Sequence, residues 1–326
     1  MTILKRNSRF LKAVFALMLL GSFSNHIIAQ NVPTKVIYFL AGPKDHAGPE
    51  GSGRHETRRD LLVLQHCIDS ISNVKGVKIV TKFLYSRTAL DIADLKGVDA
   101  VIIECSAEGS SKDRTNPLFP PSGDNNRTYD KATLAYLAQV DSLHKAGMGI
   151  MILHWGITTT NQKATQYHMN WFGEVSLSGY THNPLGYWSV TPIQAAKRHP
   201  ILRGVGPWNY KDEIFSRLVV NPADPYRTDL LTGVAEKSNQ GAVAEPLGIA
   251  SAYEKNGARG ILWGGMDYHS ALLNENYRRF VLNAILWTAG IDVPKDGAKS
   301  TAKQLQLSVA KPDEFDRLKP EGFVLK

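Results

Sequence analysis

The sequence predicts an α/β fold: a single domain built on an open, mostly parallel sheet with helices on both faces and loop insertions. Three observations point there. Short apolar runs alternate along the chain with segments of helical periodicity, the pattern of strands joined by crossover helices. Runs such as VIIE and GIMIL are nearly continuous rather than alternating, which fits strands covered on both faces. Histidines and carboxylates follow several of these runs directly, at the strand ends where open sheets place ligand-binding groups.

Residues 1–30 stand apart. Lys5, Arg6, Arg9 and Lys12 precede the apolar stretch Ala13–Phe23, the layout of an export signal. The apolar stretch is shorter than the ~20 residues of a membrane span. Cleavage after Gln30 is expected, giving a periplasmic or secreted protein with no membrane attachment. Removing these four cations, with no acids among them, lowers the formal charge from +8 to +4, which gives little support to nucleic-acid binding. Residues 31–294 form the expected domain, and 295–326, where apolar density falls, the expected tail. Cys67 and Cys105 are expected to be buried free thiols, because nothing else looks disulfide-stapled.

Within the domain, Lys35–Ala41 (KVIYFLA) is a predicted strand. A loop with four glycines and two prolines follows between Gly42 and Gly53, then a helix from about Glu56. Val77–Tyr85 and Val98–Glu104 are the next strands, Tyr129–Ala146 a helix, and Gly149–His154 a fourth strand. From His168 to Val243 the pattern is broken by Trp, Tyr, Pro and Gly, and insertions with short strands are expected. Ile249–Glu254 and Gly260–Trp263 read as neighbouring strands. Gly264-Gly265 then allows a tight turn presenting Met266, Asp267, Tyr268 and His269. A helix through Phe280, Leu282, Ile285 and Trp287 follows and stops at Gly290.

The chemistry-bearing residues sit where those strands end. Asp45, His46, His55 and Glu56 lie in the first glycine-rich loop, Glu104 and His154 end their strands, and Asp267 and His269 occupy the glycine turn. A carboxyl buried at a strand end has a raised pKa suited to proton transfer. That argument applies to Glu104; His154 shares its strand-end position, and with Glu56 of the first loop and the Glu213 of Lys211-Asp212-Glu213, a paired acid after Tyr210, these are the candidate catalytic groups. Each also has an ordinary role open to it, as a capping or ion-paired carboxylate, a core histidine or a surface turn. Trp171–Trp188 carries five aromatics around His182-Asn183. Aromatic faces pack on the C–H faces of sugars while Asn and His bond hydroxyls; packing in the core is the alternative. Trp155, His182, Asn183, Asp212 and Asp267 are the candidate substrate contacts.

The order GPK-x-H…HE, ILHWG, HPI-x-RGV…DE and GG-x-x-x-H…NAI-x-WTAG-x-x-VP, from about Val36 to Pro294, resembles the trehalose-utilisation (ThuA-like) family. The resemblance implies a fold like that of the class I glutamine amidotransferases. Those enzymes place a cysteine at the turn after the strand matching GIMILH. His154-Trp155-Gly156 stands there instead, so glutamine hydrolysis is not expected. Many relatives carry GGH at the last turn where this chain has Met266, and His269 is expected to take over that role.

The family further implies an enzyme of sugar metabolism, acting on glycosides or disaccharides whose glucose is oxidised to a 3-keto form. A ketone at C3 acidifies the C2–H, so a base can remove that proton and expel the aglycone from C1. A divalent cation such as Zn or Mn would stabilise the developing enolate. On this reading His46, His55 and His269 are the metal ligands, His154 or Glu213 moves the proton, and Glu56 orients a ligand histidine. The partner is a small sugar, and homo-oligomerisation is left open. The rival readings are a metal-independent hydrolase with paired carboxylates such as Glu104 and Glu213, and a sugar-binding protein without catalysis.

Overall fold

The computed structural model describes residues 32–86, 90–107, 116–118, 129–300, 317, 319–322 and 324. The export signal assigned to residues 1–30 and most of the expected tail lie outside them. Five strands run parallel in one half of a nine-stranded sheet. In spatial order they are β2 (Lys78–Tyr85), β1 (Thr34–Ala41), β3 (Ala100–Glu104), β4 (Gly149–Leu153) and β12 (Ala258–Trp263). Successive side chains of a strand point to opposite faces, and here both faces are apolar. Ile37, Phe39, Ile102, Met151 and Leu153 share a core with helices α1 (Thr57–Asp69) and α4 (Glu275–Thr288). Tyr38, Leu40, Val101, Ile103, Ile150 and Ile152 share the opposite core with α2 (Lys131–Lys145) and α3 (Gln162–Phe172). The buried free thiols Cys67 and Cys105 belong to these two separate cores. Among the described residues no helix is long and apolar enough to cross a membrane.

The other half of the sheet is antiparallel. Beyond β12 come β11 (Val243–Lys255), β10 (Arg227–Ala235), β7 (Leu185–Pro192) and β8 (Trp208–Glu213). The region expected to hold insertions and short strands thus supplies three full strands of the main sheet. Only β5 (Thr158–Thr159), β6 (Glu174–Leu177) and β9 (Val219–Val220) form the small decorating sheet. Helix α3 was not anticipated either, because QKATQYHMNWF is rich in residues of modest helix propensity. It is fixed at its ends by the Asn161 side chain, which caps the Lys163 N–H, and by Gly173 in the left-handed conformation.

Three strands, and so four strand spacings, separate β8 from β12, about 19 Å along a flat sheet at ~4.8 Å per spacing. Yet the Asp212 carboxylate of β8 accepts hydrogen bonds from the backbone N–H groups of Met266, Asp267 and Tyr268, just past β12, at 3.0, 2.9 and 3.2 Å. The antiparallel half therefore curls over α4. Trp208 and Tyr210 pack on Tyr277 and Phe280 along that helix, with ring centroids 4.9–6.2 Å apart. The close return explains the paired glycines after β12: a Cβ on Gly264 would stand 2.7 Å from the Phe215 carbonyl oxygen, and one on Gly265 2.8 Å from the Trp263 ring.

Candidate functional site

The loop after β1 is folded by its own carboxylate. Glu56 accepts the backbone N–H groups of Gly51 and Gly53 at 2.8–2.9 Å and lies 3.3 Å from Lys44 Nζ. Burial opposes its ionisation, but these donors prevail and hold the carboxyl below its usual range. Glu56 thus shapes the loop and is hydrogen-bonded to no histidine. The loop is laid against the glycine turn by two rungs, His55 N–H to Asp267 O and His269 N–H to Gly53 O, both 3.0 Å. Three non-glycine residues at these strand ends take left-handed backbone conformations: His55 (φ 50°), His154 (φ 48°) and Met266 (φ 89°). Such conformers cost ~1–3 kcal/mol each and gather at functional sites.

The rungs and turns bring three acceptor atoms together. His55 Nε2 lies 3.4 Å from His154 Nε2, and Asp267 Oδ1 lies 3.3 Å from the first and 3.8 Å from the second. Each imidazole has its other nitrogen facing an acceptor. His55 Nδ1 is 3.2 Å from Asp45 Oδ1, and His154 Nδ1 is 3.4 Å from Gly264 O. A proton on each Nδ1 leaves each Nε2 as a lone pair. Burial first, and then the neighbouring His55, push the His154 pKa far below its ordinary value, so that ring stays neutral. Asp267 Oδ1 is buried without a hydrogen-bond partner. Two lone pairs and a carboxylate oxygen facing one point repel unless a cation or a proton lies among them.

This donor set fits a divalent metal. Bonds of ~2.0–2.1 Å in a tetrahedral site put ligand atoms about 3.3 Å apart, close to the measured 3.3, 3.4 and 3.8 Å. Two imidazoles and one carboxylate suit zinc and its neighbours. A second grouping, Asp45, His46 and His55, shares His55. There Asp45 Oδ1 already serves His46 Nδ1 at 2.7 Å and His55 Nδ1 at 3.2 Å, while Ser106 donates to Oδ2 at 2.7 Å. Burial would raise the Asp45 pKa, but these bonds outweigh it and hold the carboxyl well below the usual range. An ionised Asp45 faces His55 Nδ1 and can orient that ring, the task the sequence reading gave to Glu56.

A second polar cluster sits beside this socket. Glu213 Oε1 accepts from Asn183 Nδ2 at 2.8 Å, and Oε2 is 3.5 Å from an Arg54 guanidinium nitrogen. Burial and the nearby Asp267 raise the Glu213 pKa to about 7. Arg54 also donates to Asp267 Oδ2 at 2.7 Å, tying the two carboxylates together. Trp155 is half-buried and stands edge-on to His46, centroids 5.1 Å apart, as an aromatic wall.

Several expected residues stand elsewhere. His46, His55 and His269 do not come together as one ligand set. His46 adjoins His55 on the solvent side, whereas His269 Nδ1 is paired with the buried Asp60. Next to Asp60, the Glu104 carboxyl is buried and hydrogen-bonds to the Asp60 carboxylate. Burial, then Asp60, push that carboxyl far up, so it is a neutral acid. Asp212 is fully buried and clamps the glycine turn, so it does not meet substrate. His182 is exposed and its ring contacts Arg217 at 3.3 Å. Trp171, Phe172 and Trp188 are core residues rather than a sugar platform.

No protein-family model and no curated protein matches the sequence. Among solved structures, a protein from Bacteroides uniformis described as ThuA-like superposes with a TM-score of 0.51 at 11% identity, over 80% of this chain and 94% of that one. Another so described, from Parabacteroides merdae, gives 0.50 at 14% identity over 82% and 98%. The chain has the ThuA-like fold. Within that fold His154 occupies the strained turn after β4. Met266 turns its side chain into the apolar core, so the last turn contributes Asp267 to the socket. Sequence reasoning missed Arg54 and Ser106. Arg54 directly precedes His55-Glu56, but nothing local marks it as the bridge to Asp267, 213 residues away.

Proposed function

We propose that the chain is a carbohydrate-active enzyme that cleaves 3-keto-glycosides or 3-keto-disaccharides, with a divalent cation held by His55 Nε2, His154 Nε2 and Asp267 Oδ1. One observation carries this reading: two imidazole Nε2 atoms and a carboxylate oxygen, all buried, converge within 3.8 Å of one another. The order of sequence motifs and the shared fold support membership of the ThuA-like family, and the amino-terminal segment supports export to the periplasm or beyond.

When bound, the cation supplies Lewis acidity to the sugar oxygens. Ionised Glu213 takes the C2 proton, and its pKa near 7 suits that task at neutral pH. The C2–H electron pair becomes the C1–C2 double bond, the C1–O bond breaks, and the departing aglycone oxygen takes a proton from solvent. Asn183 and Arg54 hold the two Glu213 oxygens in place. Trp155 offers a face to the sugar ring, and Asp45 keeps His55 in the tautomer that binds through Nε2. The hydrolase reading loses support because Glu104 is buried against Asp60 rather than opposite Glu213. The binding-only reading loses it because three of the five aromatics of its segment lie in the core. Product analysis is the test: 3-keto-trehalose should yield glucose and an unsaturated or hydrated keto-sugar, while trehalose itself stays intact. Cleavage of unoxidised trehalose at the same rate in the presence of chelator would overturn the proposal.

A further inference from the structure

At the opposite end of β12 from the socket, a cavity of about 420 Å³ lies between α2, α3 and the β11–β12 hairpin. Ala258, which lines it, begins β12, and Trp263 ends that strand roughly 17 Å further on at ~3.3 Å per residue. The polar lining comes from three elements. Asp141, His144 and Lys145 belong to the last turns of α2, Asn170 to α3, and Asn256 to the hairpin tip. Asn256 and Gly257 have φ of 52° and 84° between the paired residues Lys255 and Ala258, the tight turn that closes a two-residue hairpin. The cations already have partners: Lys145 Nζ is 2.5 Å from Asp141 Oδ2, and Lys255 Nζ lies over the Tyr226 ring. His144 is 3% exposed, and its Nδ1 faces the Met148 carbonyl at 2.8 Å. Burial lowers its pKa, so the ring is neutral, and a proton on Nδ1 leaves Nε2 as a lone pair. Among the described residues nothing donates to that Nε2, although the ring lines the cavity. The exposed amides of Asn170 and Asn256 likewise make no side-chain hydrogen bond among them.

We infer that this cavity is a second binding site, for a neutral polyhydroxylated ligand of the sugar class, held by His144 Nε2, the Asp141 carboxylate and the Asn170 and Asn256 amides. A hydroxyl both donates and accepts, so neighbouring hydroxyls can give protons to the imidazole and the carboxylate while accepting from the amides. An unmet acceptor on a buried ring is unfavourable, and such a donor relieves it. The existing partners of the two lysines favour a neutral ligand over an anion. The volume falls within the usual range for small-molecule sites. None of these residues belongs to the socket or to the Glu213 cluster, so the inference does not rest on the proposed cleavage.

The Trp171 indole N–H, which donates to Asp141 Oδ1 at 3.0 Å, reports on the site by nuclear magnetic resonance. Titration of the isotope-labelled full chain with glucose should shift that resonance saturably. Glucuronate should bind no better than glucose, and cyclohexanol, with a single hydroxyl, should not saturate it at the same concentrations. His144→Asn keeps an N–H for the Met148 carbonyl and removes the lone pair. Asn170→Ala changes an exposed helical position to the best helix former, so it should fold normally. Each variant should weaken glucose by about 5-fold, the effect of losing one hydrogen bond. Absence of a saturable shift, tighter binding of glucuronate, an equal response to cyclohexanol, or unchanged glucose affinity in the folded variants would overturn the inference.

Discussion

Strand β3 of the parallel half is buried at all five positions, whereas β8 of the antiparallel half alternates buried and half-buried residues from Trp208 to Glu213. The difference follows from what covers them. Helices close both faces of the parallel strands, while β8 lies at the sheet edge with one side on α4. The two halves also bring different chemistry to their meeting point. Loops after the parallel strands supply the acceptor socket through His55, His154 and Asp267. The end of β8 supplies the proposed proton-transfer group Glu213 and the clamp Asp212, with Asn183 from the segment before β7. On the proposed reading, binding and proton movement are held by separate parts of the sheet, and each should be breakable without the other.

The largest separation is expected from Glu213→Gln. It removes the base from the antiparallel half and should lower kcat by ~10²–10⁴-fold while leaving metal content unchanged. Because Glu213 must be ionised to accept the C2 proton, and its pKa is raised to about 7, kcat of the parent protein should rise with pH through about 7. A rate that falls over that interval would make Glu213 an acid instead. Next comes Asp212→Ala, which severs the seam. Four backbone N–H groups, those of Glu213, Met266, Asp267 and Tyr268, would lose their buried acceptor. A loss of about 3 kcal/mol is expected, read as a lower urea midpoint. A loss below ~0.5 kcal/mol would mean that the curled half is not anchored there. The smallest effect should come from Tyr180→Ala: Tyr180 is 75% exposed, and stability should stay within ~0.5 kcal/mol.

The same contrast explains what could be read in advance. Strands β1, β3, β4 and β12 were legible because burial on both faces writes a continuous apolar run into the sequence, β2 was legible although none of its positions is fully buried, and the ends of all five fell within two residues of the predicted ones. Strands β7, β8 and β10 were not, since YWSVTP or WNYKDE mixes core aromatics with charge, and neither period stands out. At the site, strand-end placement drew attention to His55, His154 and Asp267, and the paired acids after Tyr210 to Glu213, residues that the fold brings near one another. Their roles were less legible. His269 looked like a ligand because it follows the glycine turn, but the 3-10 turn from His269 to Leu273 carries it toward Asp60. Asp45 and Glu56 are equally acidic and close in sequence. Only the folded loop distinguishes the carboxylate facing His55 from the one facing glycine N–H groups.

Metal analysis of purified protein, paired with its His154→Ala variant, tests the central claim most directly. One tightly held divalent cation per chain is expected, removable by chelator. In the variant its affinity should fall by more than the ~10–100-fold typical of losing an outer partner. A parent protein that binds no divalent cation, or a variant that binds one equally well, would contradict the account.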